Sequence, residues 1–333
     1  MAQQRANELR PPASLTKKMT LYLIFEALHA GKITLQTEFN VSKRATKQEP
    51  CNLGLRAGEK INVKNLIYSL VTRSANDMSI TAAEGLAGSV EAFSQMMNKK
   101  AKFLGMNQTK FYNPHGLPAS GQITSAKDMM ILARALHRDY PKEYAFFKTK
   151  EFRYNGKQVH NHNRMLKSFT GMDGIKTGFT FASRFNISVS AQRIGSDGKP
   201  IRVFAVVLGG QTSVSRDKKT AELMESAFHK LNATPRMQQV VSNVQSNEEP
   251  DSIDNLVSEV DAIPEPQPAL IKKANTRKNQ KHKITKTKVA TVNTSETVIL
   301  KDPVERILNS SITPISIDIN RDLPAGWVKA KPA

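Results

Sequence analysis

Three short polar motifs, widely separated along the chain, limit most strongly what this sequence can fold into. Ser14-Leu15-Thr16-Lys17 comes first, Ser74-Ala75-Asn76 second and Lys176-Thr177-Gly178 third. Each motif occurs by chance in many chains. All three in this order, each in a suitable local context, predict one site assembled from three distant parts of a single domain.

The first motif is predicted at the N-terminus of a helix that covers residues 14–30, because apolar residues recur there at helical spacing between Pro12 and Gly31. Side chains three positions apart share a helix face, so Lys17 can reach the Ser14 hydroxyl. A serine hydroxyl needs a base to become a good nucleophile, and a neutral lysine can serve. Burial and a nearby cation lower the pKa of a lysine, and Lys176 is the predicted cation.

The helix N-terminus also directs positive potential at the site, which favours developing negative charge. Taken alone, the first motif favours a capping serine and a solvated lysine over a catalytic pair. The two other motifs favour the catalytic interpretation, because the roles of the three motifs interlock as a site requires.

The other two motifs have contexts that suit a site. Ser74-Ala75-Asn76 is predicted in a tight loop between two apolar helices. There Ser74 could pass a proton and Asn76 could hold an amide through its donor and its acceptor, although ordinary helix capping is the alternative. Lys176-Thr177-Gly178 is predicted at the start of a strand, where Gly178 allows close approach of a substrate backbone.

Residues from about 11 to 231 have the apolar patterns of one mixed α/β region. Two strands are expected at 185–192 and 201–208, joined by a hairpin turn at residues 195–198. Further helices are expected at 65–71, 79–88, 90–104, 125–139 and 216–231.

The composition changes after about residue 233. Residues 245–265 are acidic, whereas residues 272–288 are rich in lysine. Charge blocks without an apolar period predict a disordered linker. The net charge of +20 suits an anionic partner. The basic run lacks interleaved aromatic residues that stack on bases, so no nucleic-acid partner is expected.

Cysteine and histidine positions argue against other kinds of site. Cys51 is the single cysteine, so we interpret it as a bystander rather than as part of a disulfide or metal site. His160 and His162 have no third ligand nearby in the sequence, and His115 lacks the partners of a catalytic triad. We therefore expect no metal, no cofactor and structural roles for these histidines.

Targeting signals are also missing from the sequence as written. No apolar stretch approaches the length that spans a bilayer, and residues 1–12 lack the apolar core of a signal peptide. The sequence alone therefore predicts a chain that stays in the cytoplasm, and it leaves membrane association open.

Longer blocks around the motifs resemble those of the low-molecular-mass penicillin-binding proteins that are serine-type D-Ala-D-Ala carboxypeptidases. The resemblance covers roughly residues 10–231. The blocks are residues 12–20, 111–117, 124–128, 173–180, 206–210 and 215–217. The resemblance implies the β-lactamase/DD-peptidase fold, of class α/β (α+β), with an antiparallel sheet and a helical subdomain. It also implies a periplasmic or cell-envelope location, peptidoglycan stem peptides as substrates and β-lactam antibiotics as ligands.

The same resemblance implies a role for each motif residue. Ser14 would be the nucleophile, Lys17 the general base for acylation and Ser74 a proton relay. The backbone N–H groups of Ser14 and Phe179 would form the oxyanion hole. The residues implied in substrate binding are Asn76, Lys176, Thr177, Gly178, Phe179 and Arg216.

The sequence departs from the family pattern before the first motif. Only about a dozen residues precede Ser14, where relatives have a signal peptide and two strands. The sheet strand at 201–208 is therefore expected to have an unpaired edge, in a chain that is truncated or unstable. Arg184 also stands where relatives more often have a small residue.

The domain prediction combines these observations. A catalytic domain is expected at 10–232 and a charged, disordered linker at 233–323. Residues 324–333 are expected to be the start of a truncated peptidoglycan-binding repeat domain, which Gly326-Trp327-Val328 resembles.

Three alternatives stay open on the sequence. A class A β-lactamase needs a glutamate between the second and third motifs, and Glu84, Glu91 and Glu143 lack the matching context. A DD-endopeptidase would use the same site. The alternative from a different class is a non-catalytic, basic remnant that binds the cell wall.

Overall fold

The longest apolar strand of the sequence lies in the middle of a five-stranded antiparallel sheet. The computed structural model describes residues 2–233 and 315–321, and these ranges belong to one unit formed by residues 1–236 and 301–333. The strands are β1 Ala2–Gln4, β2 Glu38–Asn40, β3 Lys60–Asn62, β4 Glu151–Tyr154, β5 Lys157–His160, β6 Met172–Thr180, β7 Arg184–Ile194, β8 Pro200–Gly210 and β9 Ile315–Arg321. The sheet order is β1-β9-β8-β7-β6, while β2 pairs with β3 and β4 pairs with β5.

Helices cover both faces of this sheet. Three short 3-10 helices lie at Ala13–Thr16, Ala45–Lys47 and Glu143–Lys148. The α-helices of the described ranges are α1 Lys17–His29, α2 Val63–Val71, α3 Asn76–Ala87, α4 Val90–Phe103, α5 Ala126–Asp139, α6 Met165–Ser168 and α7 Ser213–Lys230. Polar residues that accept a backbone N–H of the first turn precede several of them, namely Asn62, Ser89, Ser125 and Thr212.

Strand β8 is apolar along most of its length, with Arg202 as its charged residue, because both of its faces are buried. Phe204 and Val206 join the core formed with α1 to α5, whereas Val203 and Ala205 join a second core with α7. A strand buried on both faces loses the alternation of apolar and polar residues that a half-exposed strand shows. The predicted fold class is confirmed by this mixed helical and antiparallel architecture.

Two of the element boundaries that differ from the predictions concern motifs. Helix α3 begins at Asn76 rather than Ser79, so the second motif leads directly into a helix. Strand β6 begins at Met172, so Lys176 lies at its centre rather than at its start. Asp173 and Gly174 are poor strand formers, which concealed the first half of β6 from the sequence pattern.

The unpaired sheet edge expected at residues 201–208 is not found in the described residues. Strand β9 pairs with β8 from Val207 opposite Ile315 to Ile201 opposite Arg321, and β1 pairs with the other side of β9.

Strand β9 lies inside the segment predicted as a linker, so that prediction is wrong for these seven residues. Ile315, Ile317 and Ile319 alternate with polar residues, which is a strand signal. The charged, low-complexity sequence around it obscured that signal. Residues 234–314 and 322–333, with the predicted repeat domain at 324–333, lie outside the described residues.

A fully buried lysine joins α1 to the sheet. The Nζ atom of Lys18 donates to the carbonyl oxygen of Met129 at 2.7 Å and to Oγ of Ser188 at 2.8 Å. Burial holds the pKa of Lys18 well below its usual value. A neutral amine has two N–H donors, and these two neutral acceptors match them.

This depressed pKa gives a prediction for Lys18→Met. The unfolded chain binds a proton at Lys18 up to about pH 10.4, whereas the folded protein releases it at a lower pH because burial lowers the pKa of Lys18. The wild-type free energy of unfolding therefore gains up to about 1.4 kcal/mol per pH unit between the folded pKa and pH 10.4. Relative to wild type, the variant should be most stable near neutral pH and lose that advantage towards pH 10.

Urea unfolding of both proteins between pH 7 and pH 10 measures this difference. The exposed Lys32 provides the control Lys32→Met, whose difference from wild type should stay nearly constant with pH. If the free energies of unfolding of wild type and Lys18→Met change in parallel with pH, Lys18 is charged in the folded protein.

Candidate active site

The three motifs meet where the 3-10 helix before α1 packs against strand β6. Gly178 makes this contact possible, since a Cβ atom there would lie 3.0 Å from the Ser14 nitrogen and 3.2 Å from the Leu15 nitrogen. Any side chain at Gly178 would push the strand away from the Ser14 amide. The site therefore consists of the start of α1, the loop between α2 and α3, and the edge strand of the sheet.

Lys17 lies at the centre of the site and is fully buried. Its Nζ atom is 3.2 Å from Oγ of Ser14, 2.7 Å from Oδ1 of Asn76 and 2.8 Å from the carbonyl oxygen of His115. The three groups come from three different parts of the chain. All three are neutral, so no carboxylate among these contacts holds a charge on the amine.

The pKa of Lys17 is held well below its usual value, first by burial and then by the positive charge of Lys176. Asp77 and Cys51 act in the opposite direction with smaller effect. This is the shift that the sequence analysis expected from a buried lysine beside Lys176. A neutral Lys17 donates two hydrogens to Asn76 and His115 and directs its lone pair at the Ser14 hydroxyl.

The second motif places one residue against Lys17 and leaves another without a partner. Asn76 accepts from Lys17 through Oδ1 and donates to the carbonyl oxygen of Pro50 through Nδ2, at 2.7 Å. Ser74 is buried in the left-handed region at φ 61°, which is strained for a residue with a Cβ atom. Its Oγ has no hydrogen-bond partner in the described part of the chain, so the hydroxyl is available to a ligand.

The third motif places a buried lysine, Lys176, close to Lys17. Nζ of Lys176 donates to the carbonyl oxygen of Thr177 at 3.1 Å. Burial, with a smaller contribution from the charge of Arg216, lowers the pKa of Lys176 to about 8. Lys176 is therefore mostly charged at neutral pH and loses its charge above pH 8. Phe179, the next residue after Gly178, is partly exposed and packs on the ring of Phe185.

Arg216, which the resemblance implies in substrate binding, is already hydrogen-bonded within the protein. Its Nε and Nη2 atoms donate to Oδ1 of Asp217 at 2.9 Å and 2.7 Å, and Nη1 donates to the carbonyl oxygen of Asn186 at 3.2 Å. Asp217 therefore neutralises part of the guanidinium charge before any ligand carboxylate arrives.

The loop that contains His115 contributes a carbonyl group rather than an imidazole to the site. Thr20 of α1 donates to the carbonyl oxygen of Pro114 at 2.6 Å, and Lys17 binds the next carbonyl. Gly116 has φ 95°, and a Cβ atom there would lie 1.9 Å from the carbonyl oxygen of Ala13. Only glycine lets this loop lie against the nucleophile segment.

The His115 imidazole does not supply a charge. Burial lowers the pKa of His115 to about 3, with a smaller effect from Lys17, and Nδ1 accepts a hydrogen bond from the Leu117 amide. A neutral ring in this setting fits the structural role that we expected for it.

Cys51 is not the remote bystander suggested by the sequence. Its carbonyl oxygen accepts the Asn76 amide N–H at 2.7 Å, and its thiol lies near enough to affect the pKa of both Lys17 and Lys176. The sequence does not show this contact, because 24 positions separate Leu53 of the same loop from Asp77, whose carboxylate accepts the Leu53 amide N–H.

Metal-binding clusters and membrane-spanning helices are both absent from the described residues. No cluster of three or more His, Cys, Asp or Glu side chains in residues 2–233 and 315–321 could hold a metal ion. Over the same ranges, no helix has the length and apolar character needed to cross a bilayer.

Known proteins are similar to this chain in sequence and in fold. Residues 1–212 match the D-alanyl-D-alanine carboxypeptidase family, peptidase S11. The chain is 38% identical over 235 residues to D-alanyl-D-alanine carboxypeptidase DacC of Escherichia coli K12, which covers 68% of this chain and 58% of that protein. Thus the chain spans less than two thirds of the length of this relative.

Solved structures agree with the sequence comparison. D-alanyl-D-alanine carboxypeptidase DacD from Francisella tularensis has a TM-score of 0.65 at 30% identity, covering 68% of this chain and 67% of that one. Penicillin-Binding Protein D2 from Listeria monocytogenes, in its ampicillin-bound form, has a TM-score of 0.59 at 30% identity, covering 68% and 91%. The chain therefore belongs to the D-alanyl-D-alanine carboxypeptidase family, peptidase S11.

Proposed function

We propose that this chain is a serine-type D-Ala-D-Ala carboxypeptidase, which removes the terminal D-alanine from peptidoglycan pentapeptide stems through an acyl-enzyme on Ser14. The observation that carries the proposal is the buried Lys17 amine, 3.2 Å from the Ser14 hydroxyl and held by two neutral acceptors. A neutral amine in contact with a serine hydroxyl is a base in position for nucleophilic attack.

The acylation step follows from these contacts. The proton of Ser14 Oγ moves to Nζ of Lys17 while Oγ attacks the carbonyl carbon of the D-Ala-D-Ala peptide bond. The backbone N–H groups of Ser14 and Phe179 stabilise the tetrahedral oxyanion, a contribution typically of about 3–4 kcal/mol per donor. The close approach at Gly178 brings β6 against the Ser14 amide, which is needed for two such donors to converge.

Release of D-alanine requires a proton on the leaving nitrogen. The C–N bond breaks as the proton held on Lys17 is passed to that nitrogen through the Ser74 hydroxyl, whose buried Oγ has no hydrogen-bond partner in the described residues. Water then attacks the ester carbon while Lys17 takes its proton, the bond between that carbon and Ser14 Oγ breaks, and Lys17 returns the proton to Oγ.

Substrate binding would use the cationic side of the cleft. The terminal carboxylate of the substrate meets Lys176 and Thr177, with Arg216 beside them and partly neutralised by Asp217. Asn76 positions the substrate amide through the second hydrogen of its Nδ2, while the first stays on the Pro50 carbonyl. No metal and no cofactor takes part in these proposed reaction steps.

The ligands and location follow from the same chemistry. A β-lactam presents a reactive amide and a carboxylate in the arrangement of D-Ala-D-Ala, so we propose that penicillins acylate Ser14. Ampicillin is bound in the related Listeria monocytogenes structure. The substrate is a wall precursor, so the proposed place of action is the periplasm or cell envelope.

The alternatives from the sequence analysis have weaker support. Among the glutamates considered for a β-lactamase, Glu91 is exposed and paired with Arg44 at 2.9 Å. None of the three groups that Lys17 contacts is a glutamate. A DD-endopeptidase would use the same residues on a cross-linked substrate. A wall-binding remnant without catalysis would have no use for a buried base beside Ser14.

Penicillin labelling tests the nucleophile directly. Fluorescent penicillin should label the wild-type chain covalently, and Ser14→Ala should abolish the label because no other group forms the ester. Ser196→Ala, in the exposed turn between β7 and β8, is the control and should label like wild type. Equal labelling of Ser14→Ala would refute the assignment, an unlabelled wild type would favour the remnant, and loss of label within seconds would favour a β-lactamase.

The pH dependence of acylation tests the two lysines separately. The rate should rise on the acid side as Lys17 loses its proton, and fall above pH 8 as Lys176 loses the charge that attracts the carboxylate. Above that pH the second-order rate should fall by about tenfold per unit. Lys176→Arg stays charged, so its alkaline limb should disappear even if its maximal rate is lower. An alkaline limb near pH 8 that persists in Lys176→Arg would contradict the assignment.

A further inference from the structure

A loop that carries no motif holds the second motif in place. Residues 49–54, called here the pinned loop, present two carbonyl groups to Asn76. The carbonyl oxygen of Pro50 accepts from Asn76 Nδ2, and that of Cys51 accepts from the Asn76 amide, both at 2.7 Å. The side chain and the backbone of Asn76 are therefore both fixed by the same short segment.

The pinned loop is in turn held by one buried carboxylate. Asp77 is 2% exposed. Its Oδ2 atom accepts from the amides of Leu53 at 2.9 Å and Gly54 at 3.0 Å, and its Oδ1 atom accepts from Leu53 at 3.1 Å and Met78 at 2.8 Å. These backbone N–H groups satisfy the carboxylate without a cation.

We propose that Asp77 is a positioning residue for acylation, acting through the pinned loop on Asn76 and so on Lys17. The proposal rests on the function proposed above. Asn76 presents its Oδ1 to Lys17 while its Nδ2 is bound to Pro50. If the loop moves away, the amide can rotate and turn its NH₂ group towards Lys17. That group would compete with the Ser14 hydroxyl for the amine lone pair.

Asp77 also affects the charge balance around Lys17. The charged and titratable groups facing Lys17 are Lys176 on β6, Cys51 in the pinned loop, Asp77 on α3 and the neutral His115 and His162. Of these, Cys51 and then Asp77 favour the protonated amine, whereas Lys176 opposes it. Loss of the Asp77 charge should lower the pKa of Lys17 further and move the acid limb of acylation to lower pH.

The test compares Asp77→Asn with a matched variant elsewhere. Asp128 is similarly buried near the start of α5, where Oδ2 accepts from the Gln108 amide at 2.9 Å and the Thr109 hydroxyl at 2.7 Å. It also holds a loop against a helix, but it is not among the groups that affect Lys17. Asp128→Asn should therefore lower the melting temperature without moving the acid limb.

Two readouts separate positioning from simple stability, both taken well below each melting temperature. The second-order rate of labelling by fluorescent penicillin should fall about 10- to 100-fold in Asp77→Asn, as expected for a misplaced catalytic group. In Asp128→Asn the same rate should stay within about twofold of wild type. The second readout is the reaction of Cys51, the single thiol of the chain, with an aromatic disulfide reagent. It should become severalfold faster only in Asp77→Asn, because the loop loosens.

Asp77→Glu covers the case in which Asp77→Asn does not fold. It keeps the charge but displaces it by one methylene, so acylation should slow while the acid limb stays near its wild-type position. The proposal is overturned if a folded Asp77 variant acylates within twofold of Asp128→Asn, or if its Cys51 rate equals that of wild type. A wild-type chain that penicillin does not label would refute the proposed function instead, and the Cys51 rates would still decide whether Asp77 holds the loop.

Discussion

The structure depends on a buried lysine amine, because burial holds the pKa of Lys17 well below its usual value. Lys17 has three contacts, with a hydroxyl, an amide oxygen and a carbonyl oxygen, and none of them carries charge. An ammonium in that place would lack a counter-ion, which is costly in an apolar interior. The same burial that would destabilise a charge lowers the pKa of the amine that contacts the Ser14 hydroxyl.

The rest of the fold serves this one condition. The Pro114 to Gly116 turn closes over the amine from one side, held by Thr20 and by the missing side chain of Gly116. The pinned loop fixes Asn76 from another side through Asp77. Strand β6 brings Lys176 near, and its charge lowers the pKa of Lys17 further. Packing, hydrogen bonding and electrostatics therefore act in the same direction.

Much of this could be predicted from the sequence, because short motifs and helical periodicity are local signals. The helix at Ser14, the loop at Ser74 and the pair of strands β7 and β8 follow from such patterns, as does the shifted pKa of Lys17. The early start of β6 was concealed by Asp173 and Gly174, which are weak strand formers.

Long-range backbone contacts could not be predicted in this way. The carbonyl groups of Pro50 and His115 bind motif residues, yet any residue type has a carbonyl, so the sequence carries no sign of them. Gly116 was the only local hint, since a glycine often marks close backbone approach. The pairing of β9 with β8 joins positions more than a hundred residues apart, and only the isoleucine alternation pointed to a strand there.

The central claim is that Lys17 is uncharged in the folded protein at neutral pH, and NMR titration of its side chain tests it most directly. Protein labelled with ¹³C and ¹⁵N at lysine would be titrated, and the Lys17 signals assigned by their absence from Lys17→Arg. We predict chemical shifts of a neutral amine at pH 7 and a protonation step well below the usual lysine pKa. Lys17 signals that remain those of an ammonium up to about pH 10.4 would contradict the account.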